Sequence, residues 1–163
     1  MERRLHQQNL LLGWDRLRAG IFILGVFITL LLPVTAHGQQ KPSDIVGKWL
    51  TQDGKAKVEF YKADDKYFGR IVWLVKPLDE RGLPVLDIHN KRASLRSRPL
   101  MKLAIINGLE FKNGKWVNGT LYDPVDGSTY GCSVWLEQEN TMKLRGYLGL
   151  LYETETWTRV TKN

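Results

Sequence analysis

The chain has 163 residues, 43% of them hydrophobic, with a formal charge of +7, three histidines and a single cysteine. One cysteine cannot form an intramolecular disulfide, and with so few histidines a zinc or other transition-metal site has no ligand set. The moderately basic balance comes without any recognisable DNA- or RNA-binding motif, so nucleic acid is not the expected partner; solubility explains the charge first, and an anionic lipid surface, a glycan or an acidic small molecule are the remaining partners it would suit.

In chain order, Arg3, Arg4, Arg16 and Arg18 make the leading segment basic, and Ile21 to Leu32 is an apolar stretch interrupted only by Gly25 and Thr29. It is short for a membrane span. Pro33 ends it, and Ala36 and Gly38 place small residues three and one before a cut, the spacing signal peptidase admits. Residues 1–38 are therefore expected to be a signal peptide cleaved after Gly38, which places the protein in the periplasm or outside the cell. An uncleaved leader acting as a membrane anchor is the alternative, and the only route to a membrane among the expected partners. No cysteine for lipid attachment lies near the cut, since Cys132 is far downstream. The remaining 125 residues carry +5, once the leader's four basic and two acidic residues are set aside, and form one domain by length. A short linker at 39–43 is expected to lead into a domain at 44–163, which is large enough to bury about two-thirds of its unfolded surface.

From Lys55 onward the hydrophobic period is two. Ala56, Val58 and Phe60 alternate with Lys57, Glu59 and Tyr61, as a strand with one wet face requires. Asp64-Asp65-Lys66 makes a turn into a second strand, Tyr67 to Val75, which stops before Pro77 because proline cannot donate to a ladder. Asn113-Gly114, between Phe111 and Trp116, predicts a type I′ hairpin, and Asp123 to Gly127 predicts a reverse turn whose carboxylates bond the following amides. Thr129 to Glu137, Met142 to Leu148 and Thr154 to Val160 complete the series of strands. Short strands at regular spacing without an amphipathic helix predict an all-β fold, a single antiparallel up-and-down barrel that protects its edges by closing.

Lys76 to Arg98 is the long irregular segment, and loops of that length are usually functional or disordered. It holds Asp87, His89 and a basic set including Lys91, Arg92, Arg96 and Arg98. Two readings stand: a lid at a barrel mouth, with Arg96 and Arg98 gripping a carboxylate or phosphate, or solvated charges with one arginine paired to Asp87 or Asp123. His89 with Asp87 and Ser94 or Ser97 makes a poor nucleophilic triad, because neighbours in one irregular loop lack rigid placement. Calcium at Asp123 and Asp126 would need oxygens the sequence does not supply. No enzyme activity is expected, a hydrolase being the remote alternative, and no cofactor is expected. Trp73, Tyr130, Trp135 and Tyr147 fall on strand-like runs and either line a cavity for a small amphiphile, together with Arg96 and Arg98, or fill the core of a barrel that serves as an envelope interaction module.

Gly47-Lys48-Trp49 opens the domain and Thr156-Trp-Thr-Arg-Val160 closes it. This pairing resembles the calycins, lipocalins among them, in which an indole plugs the barrel end beneath a basic side chain from the last strand; the resemblance implies a clasp of Gly47, Trp49 and Arg159. More specifically, "DIVGKW", "AKVEFY", "FGRIVWL", "LRSRPL", "WVNGTLYDPVDGSTY", "LRGYLG" and "TWTRV" resemble the bacterial family called domain of unknown function 2147, small exported proteins with a calycin-like barrel. The likeness runs from Asp44 to Val160. One departure is Asn90-Lys91-Arg92-Ala93, where the family carries an Asn-Pro-Asp-Pro-like run. The resemblance implies a fold and a compartment, and no reaction.

Overall fold

The computed structural model describes residues 40–161. The expected signal peptide and its cleavage after Gly38 lie outside the described residues. Eight strands follow one another: β1 (Gly47–Leu50), β2 (Ala56–Ala63), β3 (Lys66–Leu74), β4 (Ala104–Lys112), β5 (Lys115–Asp123), β6 (Ser128–Gln138), β7 (Thr141–Leu148) and β8 (Leu151–Arg159). Each pairs antiparallel with the next, and β8 returns to β1 through Trp49 opposite Arg159, so the sheet is a closed up-and-down barrel. The closing seam pairs β1 with β8 only at Trp49–Arg159 and Leu50–Thr158, so residues 151–157 of β8 have a strand partner on the β7 side alone.

The turns form where the local chemistry demands them. Asn113 and Gly114 have φ of 51° and 76°, the two left-handed residues of a type I′ hairpin. In the β5–β6 turn the Asp123 carboxylate accepts from the Val125 amide at 2.8 Å and the Asp126 carboxylate from the Ser128 amide at 2.7 Å, the turn chemistry expected of both. Connections alternate between the two ends of the cylinder. The β1–β2, β3–β4, β5–β6 and β7–β8 connections share one end, the mouth, whereas the β2–β3, β4–β5 and β6–β7 turns share the other, the base.

The base is filled. Trp49, Phe60, Trp116, Leu109 and Met142 are fully buried there. Each contributes on the order of 2 kcal/mol through removal of apolar surface from water. A 3-10 turn at Pro42–Ile45 plugs this end: Trp49 Nε1 donates to the Ile45 carbonyl at 2.8 Å and Trp116 Nε1 to the Pro42 carbonyl at 3.2 Å. Folded structure thus begins inside the segment read from sequence as a linker.

Two strands differ from the sequence expectation. β4 carries no clean alternation, because Ile105 and Ile106 are both buried, Gly108 has φ of 72° and the β3–β4 register shifts twice. β8 begins at Leu151 and not at Thr154, which tightens the β7–β8 connection to Gly149-Leu150.

The β3–β4 segment is ordered without being a strand. Isolated bridges join Leu78 to Pro84 and Leu86 to Pro99, and the Asp87 amide donates to the Arg98 carbonyl at 3.0 Å. This fold reverses the segment on itself and brings Asp87 beside Arg98.

Candidate functional site

Strand alternation decides what the mouth contains. Leu121 on β5, Tyr130 on β6, Leu144, Gly146 and Leu148 on β7, and Leu151, Glu153 and Glu155 on β8 face one another across the upper barrel. Gly146 contributes no side chain, and a cavity of about 360 Å3 opens there. Its apolar wall is Leu121, Leu144, Leu148 and Leu151; its polar groups are Asp123, Tyr130, Glu153 and Glu155, and none of its lining residues is lysine or arginine. Glu155 is held by Trp157 Nε1, which donates to it at 2.6 Å, and the Tyr130 hydroxyl donates to the Asp126 carboxylate. That bond, the largest influence on Asp126, keeps its carboxyl below the usual range, and the same bond holds the proton on Tyr130. The barrel is therefore filled at its base and hollow at its mouth.

The six residues singled out as ligand contacts do not form one site. Tyr130 and Tyr147 border the mouth cavity. Tyr147 also joins Trp135 in a shallow groove on the outer wall, where Arg145 lies 5.1 Å and Lys115 5.5 Å from the Trp135 ring. Trp73 stands on the outer wall with the Lys57 ammonium 4.8 Å from its ring. Arg96 donates through Nε to the Asn90 carbonyl at 2.8 Å, and Arg98 donates to Asp87 through Nε at 2.8 Å. Neither arginine lines the mouth cavity, so the anion-gripping lid is replaced by a strap fixed to the outer side of β5.

What fixes that strap is a buried polar cluster. Asp87 has no exposed surface, and its carboxylate accepts from Tyr122 Oη at 2.5 Å, Asn90 Nδ2 at 2.9 Å and Arg98. Burial alone would raise its pKa, but the three donors outweigh burial and leave it below the usual value. Conversely, burial first and the neighbouring Asp87 second raise the Tyr122 hydroxyl. His89 is not among the partners of Asp87, so the unfavoured triad does not assemble. The sequence reading offered Asp87 as an arginine partner; it missed Tyr122 and Asn90, because a buried acceptor needs a set of donors that only the fold brings together.

The clasp assembles as the opening and closing motifs implied. The Arg159 guanidinium lies 4.2 Å from the centroid of the Trp49 ring, and its nitrogens donate to the carbonyls of Asp44, Val46 and Glu139. Gly47, at φ of 130°, is the residue over which this guanidinium passes: a Cβ there would stand 3.1 Å from Arg159 Nη1.

Comparison with known proteins agrees with this architecture. The solved structure described as "Protein HP1028 from the human pathogen Helicobacter pylori belongs to the lipocalin family" is similar, with a TM-score of 0.62 and 22% identity over 72% of this chain and 83% of that one. No curated protein matches the chain. The model of the family described as "Uncharacterized protein conserved in bacteria (DUF2147)" matches residues 47–159, first strand to last, and the chain belongs to that family.

Proposed function

We propose that the protein is an exported, non-catalytic barrel that binds a small amphiphile at its mouth. The observation that carries this reading is the cavity at Gly146, which sets a leucine wall against Asp123, Tyr130, Glu153 and Glu155. Leucines remove an apolar body from water, and a few fixed polar groups orient its head, the division of labour found in small-molecule sites. With carboxylates and no basic side chain among the lining residues, the head group that suits the mouth bears hydrogen-bond donors or positive charge. Export is supported by the basic leader, the apolar stretch ended by Pro33 and the small residues at Ala36 and Gly38.

Native mass spectrometry of the purified protein, followed by denaturation and analysis of the released molecules, tests the binding. A stoichiometric amphiphile is expected, and it is lost in Gly146→Leu, whose side chain enters open space because a Cβ at 146 has its nearest neighbour, Leu121, 3.8 Å away. A protein free of small molecules, or an adduct that survives Gly146→Leu, overturns the reading. Intact mass tests export: a mature chain beginning at Gln39 is expected, and one retaining Met1 overturns cleavage.

A further inference from the structure

The two ends of the barrel differ sharply in what they expose. Of the twelve large hydrophobic side chains exposed among the described residues, eleven lie at or beside the mouth, and only Val46 lies at the base. The most prominent group is the tip of the β7–β8 hairpin, where Leu150 is 100% exposed, Leu151 73% and Leu148 65%. Tyr147 and Tyr152 flank these leucines with their ring centroids 6.5 Å apart, and the Arg145 guanidinium lies 4.2 Å from the Tyr152 ring. Around the same end, the β3–β4 segment from 75 to 103 carries seven basic residues against three acidic ones.

The geometry points to a membrane-docking surface: the mouth end rests on an anionic lipid bilayer, with Leu148, Leu150 and Leu151 entering the acyl boundary. Three observations select a bilayer as the occupant. The tip is a two-residue hairpin turn whose leucines stand open to solvent, which a deformable lipid layer accommodates without a preformed pocket. Its leucines are bracketed by tyrosines and an arginine, side chains that place an apolar body at the acyl chains and a polar end at the head groups. The excess of basic residues on the neighbouring segment complements anionic head groups. Moreover, Leu148 and Leu151 belong both to the tip and to the wall of the mouth cavity, so an apolar track runs from the docking surface into the barrel. The inference stands on the exposed surface and survives whether or not the cavity holds an amphiphile.

The test uses the full chain carrying an environment-sensitive fluorophore on Leu150→Cys, with Asp65→Cys on the β2–β3 turn at the base as its counterpart. Cys132 is buried and does not compete for the label. Vesicles containing phosphatidylglycerol should shift the Leu150→Cys label to the blue and brighten it severalfold while leaving the Asp65→Cys label unchanged; vesicles of phosphatidylcholine alone should do so more weakly. Replacing both Leu150→Asp and Leu151→Asp, which are exposed and leave the core intact, should lower the response of a label at Leu148→Cys by about tenfold. The chain enters the described domain at the base, where Gln40 donates to the Leu136 carbonyl. A shift confined to the base label, as anchorage through the leader alone would give, overturns the proposal. So does a blue-shifted tip label that needs no vesicles and grows with protein concentration, which would assign the tip to a second copy of the chain.

Discussion

Arg159 lies with its guanidinium 4.2 Å from the centre of the Trp49 ring, and the same two residues are register partners where β8 closes on β1. Closure and clasp therefore occupy one place. Only two register pairs, Trp49 with Arg159 and Leu50 with Thr158, join these strands, so the shortest seam of the barrel carries its most elaborate side-chain contact. Burial lowers the pKa of Arg159, and the carboxylates of Glu139 and Asp44 counter it; the group stays charged at any ordinary pH.

Arg159→Ala removes the stack and three charge-assisted hydrogen bonds, and is expected to cost about 1–3 kcal/mol. A fall in melting temperature of roughly 5–10 °C follows for a domain of this size. Arg159→Lys should recover only part of it, because one ammonium cannot reach three carbonyls and stack. Calorimetry of the three proteins measures this; an unchanged transition in Arg159→Ala would remove the clasp from the account of stability.

Asp87 makes the strap sensitive to acid. Its folded pKa lies below the ordinary value of 3.8, so its contribution to stability is present above that value and is lost as pH falls through the folded pKa. The folded protein should therefore hold the strap at pH 5 and begin to release it below about pH 3.8. Asp87→Ala leaves Arg98, Tyr122 and Asn90 without their acceptor and is expected to cost about 3 kcal/mol; Tyr122→Phe, which removes one donor, about 1–2 kcal/mol. Denaturant titrations at pH 3 and pH 6 check both, and the difference between Asp87→Ala and the parent should shrink at the lower pH.

Gly127 is where the strap meets the β5–β6 turn. With φ of 68°, a Cβ at this position would come 1.9 Å from the His89 carbonyl oxygen, which belongs to rigid backbone. Gly127→Ala is expected to destabilise by about 3 kcal/mol, combining left-handed strain with overpacking, and to raise amide exchange across residues 87–98. Gly54→Ala supplies the comparison. Gly54 has nearly the same φ, 70°, and nothing within 4 Å of its Cβ, so strain alone should cost about 1 kcal/mol.

Cys132 faces the barrel interior, and burial pushes its thiol up to about 12. A thiol that holds its proton is a poor nucleophile. Iodoacetamide at pH 8 should leave the folded protein unmodified for hours and alkylate it in denaturant within minutes, as read by intact mass.

Much of the fold was legible because period two is a local property. Val58 and Phe60 are both fully buried, as alternation required, and Asn113-Gly114 adopts the turn its φ preferences dictate. β4 was not legible for the opposite reason: a bulged strand with two consecutive buried isoleucines has no period to detect. The start of β8 was missed because Leu151 and Tyr152 pair with Leu148 and Tyr147 across a two-residue turn, while their exposure gives no alternating signal.

The candidate site was less legible still. Trp73, Trp135 and Tyr147 lie on strands as expected, yet which side of the wall a strand residue faces depends on register, and a shift of one residue reverses it. Trp73 and Trp135 turned outward, and the cavity arose from an absence of side chain at Gly146, opposite Glu153.

Sequence alone determined the number and spacing of most strands and the closed barrel class, because each rests on local periodicity or turn chemistry, while the pairing of Gly47-Lys48-Trp49 with Arg159 was implied by the resemblance of the two end motifs to the calycins. Tertiary structure alone decided that the base is packed and the mouth hollow, that Asp87 holds Arg98 against Tyr122 on the outer wall, and that the apolar tip stands beside the cavity. Those relations are set by register and closure, which bring together residues far apart in the chain whose local sequence carries no record of one another.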